Sequence, residues 1–375
     1  MNTAFLIIAD SEKDANLYYA TQFLAPDPFI FIQVNEKKIL LMSDLELDRA
    51  KSQAKVDEVL SLSEWMDRAS RQIASLNSAT TLDAVDLLLK EHQVKSLQVP
   101  ATFPTLFSDD LRKRGYEVIP KKESFFPERL VKNEEEVQKA TQVLRNTEVA
   151  LEAAIQMIRA SEIRGEYLYS HGQLLTSELI KKIINVTLMG SECVAQHTIV
   201  ASGRDGVDPH HEGNGPLRAN QPIILDVFPR SSKTLYFADI TRTVVRGKAS
   251  DKLKKMYRAV QEGQEIAFRS IRDGADGAGI HQEILAYFEN QGFHTGLMGG
   301  RMQGFFHGTG HGVGLEIHEP PRISKTKDIL RAGVVVTVEP GLYYLDAGGV
   351  RLEDMVVVTK EGCRNLTESP KELEL

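Results

Sequence analysis

The residues whose types and spacing could do chemistry lie in the C-terminal two-thirds of the chain. Five of the ten histidines fall in two places: His210-His211, and the run that holds His307, His311 and His318. His307 and His311 would share a helix face, but Gly308, Gly310, Gly312 and Gly314 argue against a helix. The expectation is an extended or looped backbone, stripped of side-chain bulk beside ligand-type residues. Acids give the second signal. Asp226 ends the apolar run Ile223-Ile224-Leu225, and Asp239 sits inside the strand-like Phe237–Val245. Glu339 follows Val334–Val338, and Glu353 lies within Val350–Val358.

A lone carboxylate in each of four core strands would cost several kcal/mol apiece. Four together point to a shared cation. Their summed negative charge matches two divalent metals, with His311 as a neutral fifth ligand. Such a donor set suits Mn2+, and geometry alone also admits Co2+, Fe2+ or Zn2+. Two metals sharing carboxylates would sit roughly 3.5–4 Å apart, an arrangement used for hydrolysis. Residues two apart along a strand share a face, which sets Thr241 beside Asp239 and Arg351 beside Glu353. Each could hold a ligand carboxylate by hydrogen bonding. An ordinary ion pair explains Arg351 equally well, and β-propensity explains Thr241 nearly as well.

Two blocks of elements must position these residues. Up to about residue 121, short apolar runs alternate with helical patterns. Strands are expected at 5–10, 29–34, 38–43, 96–99 and 116–120, with helices at 46–57, 80–92 and 105–114. That is a small α/β layer domain. It has few histidines and no evident acid pairs, so a structural or substrate-gating role is expected. Residues 121–127 break the periodicity and read as a linker. Asn133 with Glu136 then has capping-box spacing, and one apolar face runs from Val137 to Ile158. Beyond it the pattern predicts a helix at 173–187 and strands at 197–202, 222–228 and 234–245. Helices at 250–273 and 277–290 and strands near 334–343 and 349–359 follow, a repeated element order without residue-level repetition.

Composition excludes several classes. With 375 residues the length favours about two domains. A formal net charge of −7 and no basic stripe argue against nucleic acid as a partner. No apolar run is long enough to span a membrane. The N-terminus lacks a basic region and an apolar stretch of signal-peptide length, so a cytoplasmic protein is expected. Cys193 and Cys363 have no metal-ligand spacing and read as thiols in a reducing compartment.

Five motifs then follow in order. They are Pro209-His210-His211 with Leu225-Asp226, Ala238 through Thr243, His307 through Pro320, Val338-Glu339-Pro340-Gly341, and Arg351-Leu352-Glu353-Asp354. Together, over about residues 128–360, the chain resembles the pita-bread metallopeptidases: aminopeptidase P, prolidase and methionine aminopeptidase. The α/β front block, and the helix entered through Arg129-Leu130-Val131-Lys132, look like the Xaa-Pro branch. The resemblance implies an α/β creatinase-like domain at 1–124 and an α+β pita-bread catalytic domain at 128–375 with pseudo-twofold duplicated halves. It assigns Asp226, Asp239, His311, Glu339 and Glu353 to two metals, and His210, His307 and His318 to the substrate and transition state. His210 is favoured over His211. His92, His171, His197, His281 and His294 match nothing. The segment from Asp226 to Asp239 departs from the family, with Val227-Phe228-Pro229-Arg230 in place of a small-residue turn. A homodimer is implied as well.

The expected activity is dinuclear metal-dependent hydrolysis of the N-terminal Xaa-Pro bond of short peptides, as an Xaa-Pro dipeptidase or aminopeptidase. His210 or His318 would support the oxyanion, and Glu339 would carry a proton to the leaving nitrogen. Arg322, fixed by Pro320-Pro321 beside the Gly-rich run, and Arg351 are the expected substrate-binding residues. A surface arginine satisfying a loop carbonyl explains Arg322 as well. A creatinase-like enzyme of this fold works without the metal set, and a non-catalytic binding protein should have lost ligands. A methionine aminopeptidase leaves the front domain unexplained.

Overall fold

The computed structural model describes residues 2–72, 79–122 and 124–375. They form two compact units, Met1–Arg129 and Leu130–Leu375. The first is built on a six-stranded mixed sheet in the order Glu58–Ser61, Lys37–Met42, Phe29–Val34, Asn2–Ala9, Val94–Pro100, Glu117–Lys121. Period-two alternation puts Leu6, Ile30, Ile32, Ile39 and Leu41 on one face, packed with Trp65, Leu82 and Val85. Ile7, Phe29, Phe31 and Leu40 on the other face pack with Leu17 and Phe23. Both faces are therefore covered by helices.

Three elements here escape the sequence pattern: Ala15–Thr21, Glu58–Ser61 and Leu62–Ser70. All are short, and short elements carry little periodicity. The segment expected to be a linker departs further. Phe125 and Phe126 are buried in the first unit's core, and the Phe5 and Phe125 rings meet edge-on at 5.3 Å. By its own contacts the chain divides after Arg129. Glu123 lies outside the described residues. This unit also holds an acid cluster that the sequence does not display. Asp83 and Asp86 on the helix Thr81–Glu91 and Asp110 on Thr105–Lys113 converge on Arg114.

In the second unit the helix Glu134–Arg159 starts at the expected capping box, with Asn133 and Glu136 bonded reciprocally. It packs on Ser177–Gly190, and a three-stranded antiparallel sheet follows: Ile199–Ser202, Ile223–Val227, Ile240–Val244. The helices Asp251–Ser270 and Gly277–Asn290 then precede a five-stranded sheet in the order Glu319–Ile323, Gly310–Gly312, Val335–Val338, Asp354–Val358, Cys363–Asn365. Each half is thus two helices followed by antiparallel strands, the duplicated pita-bread arrangement. A bridge from Thr241 to Glu353 links the two halves. Among the described residues no helix is long and apolar enough to cross a membrane.

Candidate metal centre

Three of the four predicted acids sit at strand ends rather than within strands. Asp239 immediately precedes Ile240–Val244, Glu339 immediately follows Val335–Val338, and Glu353 lies between Gly348–Arg351 and Asp354–Val358. Only Asp226 is inside a strand, Ile223–Val227, opposite Thr241. The expected long strands at 334–343 and 349–359 are each broken at the acid. His311 occupies the middle of the short strand Gly310–Gly312, where a loop or extended run was expected. The flanking glycines are required by close approach. A Cβ at position 310 would lie 2.0 Å from the Thr337 carbonyl oxygen, and one at 312 would lie 2.3 Å from that of Pro320.

One cavity of about 830 Å³ gathers these five residues with His210, His307, His318, Arg322 and Arg351. Its floor has the chemistry of a cation site. The His311 Nδ1 lies 3.1 Å from the Gly312 carbonyl oxygen, which can only accept, so Nδ1 carries the ring proton. Burial, and then the neighbouring His318, hold the ring neutral by pushing its pKa down to about 3. Its bare Nε2 therefore faces Asp239 Oδ2 at 3.6 Å and Glu339 Oε1 at 3.4 Å. Three acceptor atoms thus converge without a donor from the protein, among the described residues, between them. Asp239, His311 and Glu353 each offer a ligand atom within 4.8 Å of the others. Asp226 adds a buried Oδ1 with no hydrogen-bond partner. This donor set fits divalent cations.

Electrostatics agree with the geometry. Burial first, then the charges of Glu353, Asp226 and Glu339, hold the Asp239 carboxyl well above its usual range. Burial, with Glu339 and Asp226 behind it, does the same to Glu353. Glu339 is pushed up to about 7, chiefly by burial. His318 is lowered by burial and then by Arg322.

The supporting bonds differ from the same-strand expectation. Thr241 Oγ1 donates to Glu353 Oε2 at 2.7 Å, not to Asp239. Arg351 Nη2 donates to Asp226 Oδ2 at 2.6 Å, not to Glu353. The reason is the bridge between the halves: it sets each side chain nearer a carboxylate on a neighbouring strand than the one two residues along its own. Arg351 also donates to the Thr241 hydroxyl at 3.3 Å and the Tyr343 hydroxyl at 2.9 Å. Protein atoms thus engage its guanidinium on three sides.

Tyr343 escaped sequence reasoning. Fully buried, it donates to His307 Nε2 at 2.9 Å, while His307 Nδ1 donates to the Gly308 carbonyl at 2.8 Å. Both nitrogens of His307 are occupied by protein. In the sequence Tyr343 is one aromatic in an ordinary strand pattern, and only its contacts distinguish it. His197 also lines the cavity, its Nδ1 2.7 Å from Glu212 Oε1. Of the adjacent pair, His210 lines the cavity, whereas His211 Nδ1 accepts the Gly213 amide N–H. Strand alternation likewise separates Glu353 from Asp354, which turns away to pair with Arg242 at 2.9 Å and Lys371 at 2.7 Å.

The profile of metallopeptidase family M24 matches residues 136–360, the segment that holds every one of these cavity residues. The chain belongs to metallopeptidase family M24. Among its M24 relatives, the Xaa-Pro dipeptidase of Pyrococcus horikoshii is 30% identical over 287 residues, 75% of each chain. Among solved structures, the X-Pro aminopeptidase of Thermotoga maritima superposes with a TM-score of 0.81 at 25% identity, covering 100% of this chain and 98% of that one. The Xaa-Pro dipeptidase of Bacillus anthracis also gives 0.81, at 26% identity and 100% and 95% coverage. As an M24 metallopeptidase the protein is a hydrolase that works with divalent metal ions. The floor of the cavity is where this chain has the atoms to hold them.

Proposed function

We propose that this M24 metallopeptidase hydrolyses the N-terminal Xaa-Pro bond of short peptides. The observation that carries the reading is the bare His311 Nε2 facing Asp239 and Glu339 in a cavity that also holds His210, His318 and Arg322. Asp226, Asp239, His311, Glu339 and Glu353 would hold two divalent ions, and the oxygen-rich set favours Mn2+. Bound there, such ions supply Lewis acidity, polarising the scissile carbonyl and acidifying water.

The chain's own groups do the rest. Glu339, whose Oε1 lies 3.4 Å from His311 Nε2 at the cavity floor, is placed to take a proton and deliver it to the leaving nitrogen. His210 and His318 line the same cavity and can donate to a developing oxyanion. Arg351 holds Asp226, and through Thr241 it steadies Glu353. His307, locked by Tyr343, forms part of the cavity wall. With proline as leaving group the departing nitrogen is a secondary amine, and the pocket must accept a ring-locked tertiary amide. Arg322, on the cavity wall, would pair with the C-terminal carboxylate of a dipeptide.

The reading includes a homodimer, which rests on the family resemblance. It also includes a cytoplasmic setting, which the free thiols of Cys193 and Cys363 favour. The experiment is metal analysis of the purified protein together with a panel of Xaa-Pro dipeptides, Xaa-Pro-Xaa tripeptides and proline-free controls. Turnover confined to the proline peptides supports the proposal. Preference for the proline-free controls defeats it.

A further inference from the structure

Against the turn that joins His311 to His318 lies a buried ion pair with no part in the proposed chemistry. Lys132 Nζ is 2.7 Å from Glu319 Oε2, and the two side chains are 2% and 0% exposed. Desolvating two such charges is costly, and apolar replacements of similar volume are often as stable. The surrounding geometry shows what the pair holds. Glu319 directly follows His318, and its Oε1 accepts the Glu316 amide N–H at 3.1 Å. The Gly314 amide donates to the Glu316 carbonyl at 3.1 Å, and the Gly314 carbonyl accepts from the Phe237 amide at 2.8 Å, two residues before Asp239.

The turn therefore wraps around one carboxylate. A Cβ at position 314 would lie 2.8 Å from both of its oxygens and 2.9 Å from Lys132 Cε. Lys132 is anchored in turn, its amide donating to the Gly333 carbonyl at 2.9 Å and its Nζ to that of Leu130 at 3.2 Å. At the two ends of the turn, the His311 and His318 rings meet edge-on with centroids 4.4 Å apart.

We propose that Lys132 and Glu319 are a positioning pair that sets the turn between His311 and His318 and so the place of His318 in the cavity. This rests on the peptidase reading above and adds two residues that touch neither the ligand atoms nor the cavity. An ionised carboxylate presents acceptors only, and this one serves two donors at once. Glutamine has a single acceptor oxygen, so Glu319→Gln sets an N–H against either Glu316 or Lys132. Lys132→Met removes the cation that faces the buried carboxylate. The double variant removes both faults, because the glutamine oxygen can then face Glu316 alone.

The test compares wild type with Glu319→Gln, Lys132→Met, the double variant and the charge-preserving Gly314→Ala. Each is loaded with Mn2+ and assayed on an Xaa-Pro dipeptide, with metal content and thermal midpoint recorded. Because misplacing a reacting group by about 1 Å costs on the order of a hundredfold, both single variants and Gly314→Ala should lose about tenfold or more in kcat. KM should stay within about twofold and metal content full, since only the placement of His318 changes. The double variant should recover most of the lost kcat. A merely structural pair would lower the thermal midpoint and leave kcat per folded, loaded molecule unchanged. Wild-type kcat in the single variants, or a double variant no better than the worse single, overturns the proposal. Where a single variant does not fold, the double variant and Gly314→Ala decide. Should wild type cleave no Xaa-Pro peptide, the functional reading fails, and nitrogen-15 histidine NMR of the Zn2+-loaded protein judges the pair. A His318 ring resonance displaced in Gly314→Ala supports it, and an unmoved one overturns it.

Discussion

Each unit of the molecule contains a knot of carboxylates, and the two are built oppositely. In the first unit Arg114 reaches Asp83 at 2.8 Å, Asp110 at 3.2 Å and Asp86 at 3.7 Å. Lys90 adds an ion pair to Asp86, and the Tyr116 hydroxyl donates to the same carboxylate. Burial alone would raise Asp83, but the Thr80 amide and hydroxyl and Arg114 outweigh it and hold the carboxyl below its usual range. In the second unit Arg351 hydrogen-bonds directly to Asp226 and, among the described residues, to none of the other three acids, while Arg322 acts on Glu339 only through its charge. Asp239, Glu339 and Glu353 are all raised. An acid cluster that supplies its own cations is scaffolding. One that leaves carboxylates and a bare imidazole facing each other needs charge from outside the chain.

The contrast is broken most severely at the floor of the cavity. Glu353→Gln or Asp239→Asn should abolish hydrolysis, by more than about a thousandfold or roughly 4 kcal/mol in transition-state stabilisation. Metal content should fall with it. The chelated variants should melt no lower than chelated wild type, because each lacks one repelled carboxylate. Full activity with full metal in either variant would sink the two-metal model. Next come the histidines. His311→Ala should lose metal, whereas His318→Ala and His210→Ala should keep it and lose turnover. Equal metal loss in all three would erase that division of roles.

Arg322→Ala should raise the KM for an Xaa-Pro dipeptide, with a loss of roughly 1.5–3 kcal/mol for one charge-assisted contact. An Xaa-Pro tripeptide, whose carboxylate lies one residue further out, should suffer far less. Equal losses on both would return Arg322 to a surface role. In the first unit, Arg114→Met should lower stability by about 1–2 kcal/mol for a partly exposed cluster while leaving kcat within about twofold. A large fall in kcat there would join the two clusters functionally.

The smallest effect is in pH. In chelated protein Glu339 keeps its proton to about pH 7, against 4.5 for an ordinary glutamate. The folded state then binds the extra proton, so its contribution is complete below 4.5 and is lost as pH rises to about 7. Asp83 works the other way: its contribution is present above its ordinary value of 3.8 and is lost as pH falls below it. Buried neutral His311 and His318 contribute with the opposite sign. The readout is therefore the thermal midpoint of chelated wild type relative to chelated Glu339→Gln at the same pH. That difference should decline from pH 4.5 to 7, and the wild-type gain on adding Mn2+ should grow over that interval. A Mn2+ gain independent of pH would contradict the arrangement.

Much of this was legible in one dimension. The capping box at Asn133, the glycine-flanked His311 and four acids ending or interrupting apolar runs are local signals, and each reflects a local physical demand. A helix start needs its amides satisfied, close strands need glycine, and a carboxylate in an apolar run needs a partner. The errors were non-local. Phe125 and Phe126 read as linker because nothing nearby in sequence shows the sheet they pack on. Strand period alone sets Arg351 and Thr241 beside carboxylates on their own strands, whereas the fold bonds them to Asp226 and Glu353 across strands.

Residue type and order, taken alone, determined which groups could hold cations and which family pattern they follow. Chemistry belongs to side chains, and the pattern's order survives without coordinates. Tertiary structure alone decided who holds whom. It bonded Arg351 to Asp226, sent Thr241 across to Glu353, placed Tyr343 against His307 and buried Lys132 against Glu319. Lys132 and Glu319 are 187 residues apart, and Arg351 and Asp226 are 125 apart. Contacts at such separations exist only once both halves have folded against each other, and no local periodicity encodes them.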